Sequence, residues 1–239
     1  MSRRLLFLCV WCAVAFAAAC GSSPSQPVEK TAPVTAPAPT PPVSAAPAAP
    51  SAARPRIVFL GDSLTAGLGL PVEESYPALI QRRLEQAGYA YEVVNAGVSG
   101  DTSAGGLRRL DWSLDGDVRV LIVALGGNDG LRGLPPDDLK KNLSSILDRA
   151  ADRHVTVILA GMEAPPNNGR EYTDQFRAVY LELAKTRNVR LIPFLLDGVA
   201  GDPTLNQADG IHPNTRGAGI VADVVWRTLQ PVLDRSAGK

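Results

Sequence analysis

Five short apolar runs, rich in Val, Ile and Leu and each closed by Gly, Pro or Asp, recur along the chain. They span Arg56 to Leu60, Tyr91 to Val94, Val118 to Leu125, His154 to Ala160 and Val189 to Leu196. Segments of helix length separate them. In Glu73 to Ala87, Tyr76, Leu79, Ile80 and Leu84 recur at helical spacing, Gln81, Arg82, Arg83 and Glu85 take the watery side, and Gly88 supplies a stop. Pro135-Pro136-Asp137-Asp138 opens a second helix, with acids at its positive end and Leu139, Leu143, Ile146 and Leu147 along one side. Tyr172 to Thr186 and Thr215 to Leu229 read likewise. Strands that are apolar throughout must be buried on both faces, and amphipathic helices between them supply the cover. The expected fold is therefore α/β: a three-layer α/β/α sandwich around a five-stranded parallel sheet. It occupies residues 56–239, about 180 residues and enough for one domain with a sizeable core. In such a sheet the reactive loops gather at the carboxyl ends of the strands.

The first 55 residues read differently. Arg3 and Arg4 precede an apolar stretch from Leu5 to Ala19, so residues 1–19 are expected to be an export signal. Its fifteen apolar residues fall short of the roughly 20 that span a bilayer. Cys9 and Cys12 lie inside this leader, which leaves Cys20 as the one cysteine of a processed chain and rules out an internal disulfide there. Small residues before Cys20 and Gly21-Ser22-Ser23 after it resemble a bacterial lipoprotein cleavage site, whereas Ala17 and Ala19 equally suit an ordinary signal peptidase. Both routes stay open: a cell-envelope lipoprotein, periplasmic or at the outer membrane, tethered at Cys20, or a secreted product. Residues 20–55 hold half of the 20 prolines and no aromatic residue, too little apolar surface to fold. As a polyproline-like spacer they would reach roughly 100 Å at about 3.1 Å per residue.

Chemistry concentrates at two places. Ser63 directly follows the first expected strand, and Asp209 and His212 stand three positions apart near the other end of the chain. A serine hydroxyl is a poor nucleophile at neutral pH, and acyl transfer by it needs a base and a group that fixes the base. Only His154 and His212 are available as that base. His154 opens a strand, the wrong end of a parallel sheet for catalysis, so His212 is the candidate and His154 a surface residue. No Gly-x-Ser-x-Gly exists, which excludes the nucleophile elbow of the α/β-hydrolases. Gly67-Leu68-Gly69 lacks the third glycine of a dinucleotide loop, and no Gly-Lys-Ser/Thr is present for a P-loop. Asp62, Asp101 and Asp129 have no histidine partner or ligand spacing, so no metal and no cofactor is expected. Lys and Arg number 24 against 24 acids, or 22 against 24 once Arg3 and Arg4 leave with the leader, and aromatic residues make up 5%. That balance offers neither a basic stripe nor a stacking platform for nucleic acid.

Four segments in order complete the pattern: Gly61-Asp62-Ser63-Leu64, Asn95-Ala96-Gly97-Val98-Ser99-Gly100-Asp101-Thr102, Gly126-Gly127-Asn128-Asp129 and Asp209-Gly210-Ile211-His212-Pro213-Asn214. They resemble the blocks of the GDSL, or SGNH, hydrolases, and most of all the bacterial thioesterase I, lysophospholipase L1 and arylesterase branch. The resemblance implies the flavodoxin-like form of the sandwich and assigns roles. Ser63 is the nucleophile, His212 the base and Asp209 its holder. The N–H groups of Ser63 and Gly97 and the amide of Asn128 form the oxyanion hole. A glycine admits close backbone approach and an asparagine amide donates without titrating, so these residue types suit the task. The loop Met162 to Gly169 follows the fourth strand and should overhang the site, making Ala164, Pro165 and Asn167 the candidate substrate contacts. Members of this branch often carry a larger apolar residue around Ala164, and the small alanine points to short and medium acyl groups. The expected activity is a carboxyl-ester hydrolase working through an acyl-enzyme on small esters, thioesters or lysolipids, with membrane contact only through the N-terminal anchor. A carbohydrate or peptidoglycan O-acetylesterase and a catalytically idle envelope lipoprotein are the alternatives.

Overall fold

The computed structural model describes residues 54–236, so the expected leader, Cys20 and all but the last two residues of the proline-rich segment lie outside the described residues. Five parallel strands form one sheet: β1 (Arg56–Gly61), β2 (Glu92–Gly97), β3 (Val118–Ala124), β4 (Thr156–Ala160) and β5 (Arg190–Ile192), in the order β2-β1-β3-β4-β5. Ile57 to Leu60 of β1 and Leu121 to Val123 of β3 are wholly buried, because helices lie on both faces of the central strands. The long helices are α2 (Tyr76–Gln86), α6 (Pro136–Asp152), α7 (Arg170–Thr186) and α8 (Thr215–Ser236). α2 packs on α8, and α6 packs on α7. Between them run short helices: α1 (Ser63–Ala66), α3 (Ser103–Arg108), α4 (Leu110–Ser113) and α5 (Gly127–Leu131). The expected sandwich is what forms.

Its boundaries depart from the sequence pattern in instructive ways. β5 stops at Ile192 because Pro193 has no N–H for the ladder, and Phe194 to Leu196 turn away from the sheet instead of extending it. The segment from Val72 to Glu74 is a 3-10 turn, and α2 starts only at Tyr76, with Pro77 in its first turn. α8 runs on through Pro231. His154 has a positive φ of 57° in the turn before β4 and is exposed, at the opposite rim from the reactive loops.

Two contacts set the strand ends that matter. A Cβ on Gly97 would lie 2.3 Å from the Ala66 nitrogen, so the end of β2 touches the backbone of α1 as only glycine permits. Gly126 holds a φ of 112°, and a Cβ there would meet the Tyr180 hydroxyl at 2.0 Å. That hydroxyl, fully buried, donates to the Leu125 carbonyl at 2.9 Å and so anchors the turn from β3 into α5. In a sheet of this order the strand sequence reverses between β1 and β3, and the crevice beyond their carboxyl ends is where ligands bind.

Candidate active site

Ser63 leaves β1 as the first residue of α1. The helix is started by Asp62, whose Oδ1 accepts from the Leu64 N–H at 3.0 Å, and it stops at Gly67, which adopts a left-handed conformation. From the other end of the chain, Asp209 arranges the turn that brings His212 over. Its Oδ1 accepts from the N–H groups of Ile211 and His212 at 2.9 and 3.0 Å, and its Oδ2 lies 2.7 Å from His212 Nδ1. His212 Nε2 then stands 2.9 Å from Ser63 Oγ, across 149 residues of chain.

Charge fixes the direction of these bonds. The His212 and Ile211 backbone donors, with the imidazole, hold the Asp209 carboxyl down at about 2. It is therefore ionised across the working range and can only accept. In the neutral imidazole this acceptor draws the proton to Nδ1 and leaves the lone pair of Nε2 facing the serine hydroxyl.

Asn128 is the second residue of α5. The N-cap there is Gly126, so the asparagine side chain does not cap the helix. Its Nδ2 donates to the Asp101 carbonyl at 2.9 Å and lies 3.4 Å from Asp62 Oδ2. The N–H of Gly97 donates to Asn95 Oδ1 at 3.0 Å. Of the donors that the motifs assign to an oxyanion, the Gly97 N–H and the Asn128 amide are thus both already engaged, and an incoming oxygen has to share or displace Asn95 Oδ1 at the one and the weaker Asp62 contact at the other.

The acids near the site are all in use. Asp129 accepts from the Ser103 N–H and hydroxyl at 2.8 and 2.5 Å, and Asp101 pairs with Arg109 at 2.7 Å. Asp62 is buried, and that burial pushes its carboxyl up from 3.8 to about 6 against the opposing Leu64 N–H and His212. The folded chain therefore holds this proton more tightly than the unfolded chain does. The stability it contributes is complete below about pH 4 and lost as pH rises through 6, a swing of about 3 kcal/mol for a shift of this size. Asp62→Asn should remove that loss. Thermal melts between pH 4 and 7 check it, and an unchanged slope in the variant would contradict it.

A cleft of about 530 Å³ opens beside Ser63, Asn128 and His212. Leu131, Met162, Ala164, Pro165, Phe194 and Ile211 give it apolar walls, with Leu131 and Ile211 half-exposed at its mouth. Two of the three substrate contacts expected from the loop after β4, Ala164 and Pro165, line it. Asn167 does not: it sits in a 3-10 turn, Pro166–Asn168, that directs it to solvent, while the neighbouring Asn168 ties the loop to the Gly130 carbonyl at 3.3 Å. Phe194 and Leu196 belong to the apolar run that predicts a strand over Val189 to Leu196, but Pro193 ends the strand and frees them to wall the cleft.

Residues 59–220 match the GDSL-like lipase/acylhydrolase family. The chain belongs to that family. Over 183 residues, 76% of this chain and 91% of the relative, it is 45% identical to the Esterase TesA of Pseudomonas aeruginosa. It is 38% identical over 188 residues, 78% of this chain and 89% of the relative, to the thioesterase 1/protease 1/lysophospholipase L1 of Escherichia coli. The crystal structure of TesA superposes with a TM-score of 0.71 at 44% identity, covering 74% of this chain and 98% of that one. This GDSL hydrolase thus shares its fold with a protein named an esterase, and much of its sequence with one named a thioesterase and lysophospholipase.

Proposed function

We propose that this GDSL hydrolase cleaves carboxyl esters of short to medium acyl groups, and thioesters or lysophospholipids of similar reach, through an acyl-enzyme on Ser63. His212 takes the hydroxyl proton as Ser63 Oγ attacks the carbonyl carbon, then delivers it to the departing alcohol or thiol. In the second half-reaction it activates water against the acyl-enzyme by the same exchange, and Asp209 stabilises the imidazolium each time. Asn128, with the Ser63 and Gly97 N–H groups, faces the oxygen on which charge develops. The observation that carries the reading is the continuous line from Ser63 Oγ to His212 at 2.9 Å and on to Asp209 at 2.7 Å, at the wall of an apolar cleft. An idle binding protein has no use for that line.

A series of p-nitrophenyl esters from acetyl to palmitoyl tests the substrate class. Burying each further methylene is worth about 0.8 kcal/mol, roughly fourfold in rate where the transition state feels it. kcat/KM is expected to climb from acetyl to octanoyl while the chain gains contacts with Leu131, Phe194 and Ile211. A preference for acetyl over octanoyl would contradict it and favour the O-acetylesterase alternative. The apolar residues 5–19 and Cys20 support an envelope location with the domain held by lipid at Cys20. Cys20→Ser should then release activity from the membrane fraction, and unchanged fractionation would count against the tether.

A further inference from the structure

Arg109 lies at the junction of α3 and α4 with 17% of its side chain exposed, and each of its three guanidinium nitrogens donates to a different piece of backbone or loop. Nη2 reaches the Gly61 carbonyl at 2.7 Å, Nη1 the Ala96 carbonyl at 2.6 Å, and Nε the Asp101 carboxylate at 2.7 Å. These acceptors adjoin the three oxyanion donors. Gly61 is the last residue of β1, two before Ser63. The Ala96 carbonyl belongs to the same rigid peptide unit as the Gly97 N–H, and in a trans peptide a bond to the carbonyl fixes where the N–H points. Asp101 presents its own carbonyl to Asn128 Nδ2 at 2.9 Å. One planar fork therefore spans the ends of β1 and β2 and the loop that aims Asn128, a geometry that a lysine ammonium cannot copy from a single nitrogen.

We infer that Arg109 is the positioning residue of the oxyanion hole, holding the Ser63, Gly97 and Asn128 donors in one mutual arrangement although it touches no substrate itself. The inference rests on the serine-esterase reading above. Such a residue acts where charge develops, so its loss weakens transition-state binding and spares ground-state binding.

The test is Arg109→Lys in the full chain, with enzyme concentration set by titration of the reactive serine. kcat is expected to fall about 10- to 100-fold with KM within about threefold. Affinity for a boronic acid that forms a tetrahedral adduct on Ser63 should fall by the same factor, with affinity for the carboxylate product unchanged. Arg109→Ala should regain part of its kcat on addition of millimolar guanidinium and none with methylammonium. A kcat for Arg109→Lys within twofold of the parent, or a loss of kcat with boronic acid affinity intact, would overturn the inference. Should both Arg109 variants fail to fold, Asp101→Asn keeps the carbonyl that holds Asn128 while loosening the grip on the guanidinium. It should show the same split at smaller amplitude, and parental kcat and boronic acid affinity there would equally overturn the inference. Ser63→Ala run alongside separates the two ideas. If it hydrolyses esters at parental rates the serine reading fails; if it is inert while Arg109→Lys is unimpaired, only the role of Arg109 fails.

Discussion

Ser63→Ala should lower kcat/KM for a p-nitrophenyl ester by about 10⁴- to 10⁶-fold while leaving the fold intact. The hydroxyl is nearly buried, its side-chain partner is His212 Nε2 at 2.9 Å, and alanine fills the same space without it. His212→Ala should cost about as much, because the serine without its base is a neutral alcohol. The double variant should be no worse than either single one, since the two groups perform one proton transfer. Rates on active-site-normalised protein, with melting curves as a control for folding, check both statements. Additive losses would mean that the two residues do not act together.

Asn128→Ala carries the second largest expected effect, about 10²- to 10³-fold in kcat, or some 3 to 4 kcal/mol, with KM little changed. Its amide is aimed by the Asp101 carbonyl rather than by its own helix. A donor placed in advance costs nothing to organise when the tetrahedral oxygen forms, and it matters only then. Asn128→Asp replaces the donor with a charge that repels the oxyanion and should be at least as damaging. Steady-state kinetics of the two variants decide the matter. A rise in KM at constant kcat would instead make Asn128 a ground-state contact.

How far the sequence discloses this molecule depends on the range of the interactions involved. The central strands are legible because burial on both faces leaves an unbroken apolar run, as in Ile57 to Leu60. The long helices are legible from their one-sided leucines. α3, α4 and α5 are not, because they are four to six residues long and two of them carry interior glycines, so no period develops. The line from Ser63 through His212 to Asp209 could be anticipated because each member belongs to a local motif. Arg109 could not: its acceptors lie 8, 13 and 48 residues away, and no spacing announces a contact made through the fold. The same holds for Phe194 and Ile211, which both line the cleft only because Pro193 ends β5 and Asp209 turns the chain. Asn167 is the converse case: it is exposed, and a loop's position after a strand does not say which of its side chains a 3-10 turn sends outward.

The central claim is a covalent one, that the Ser63 oxygen carries the acyl group between two half-reactions. Treatment with an ethyl fluorophosphonate followed by intact-mass and peptide mass analysis tests it most directly. One adduct per chain on the peptide containing Ser63 is expected, together with complete loss of ester hydrolysis and with strongly slowed labelling in His212→Ala. An adduct on another residue, or a fully labelled Ser63 in protein that still hydrolyses esters at its original rate, would contradict the account.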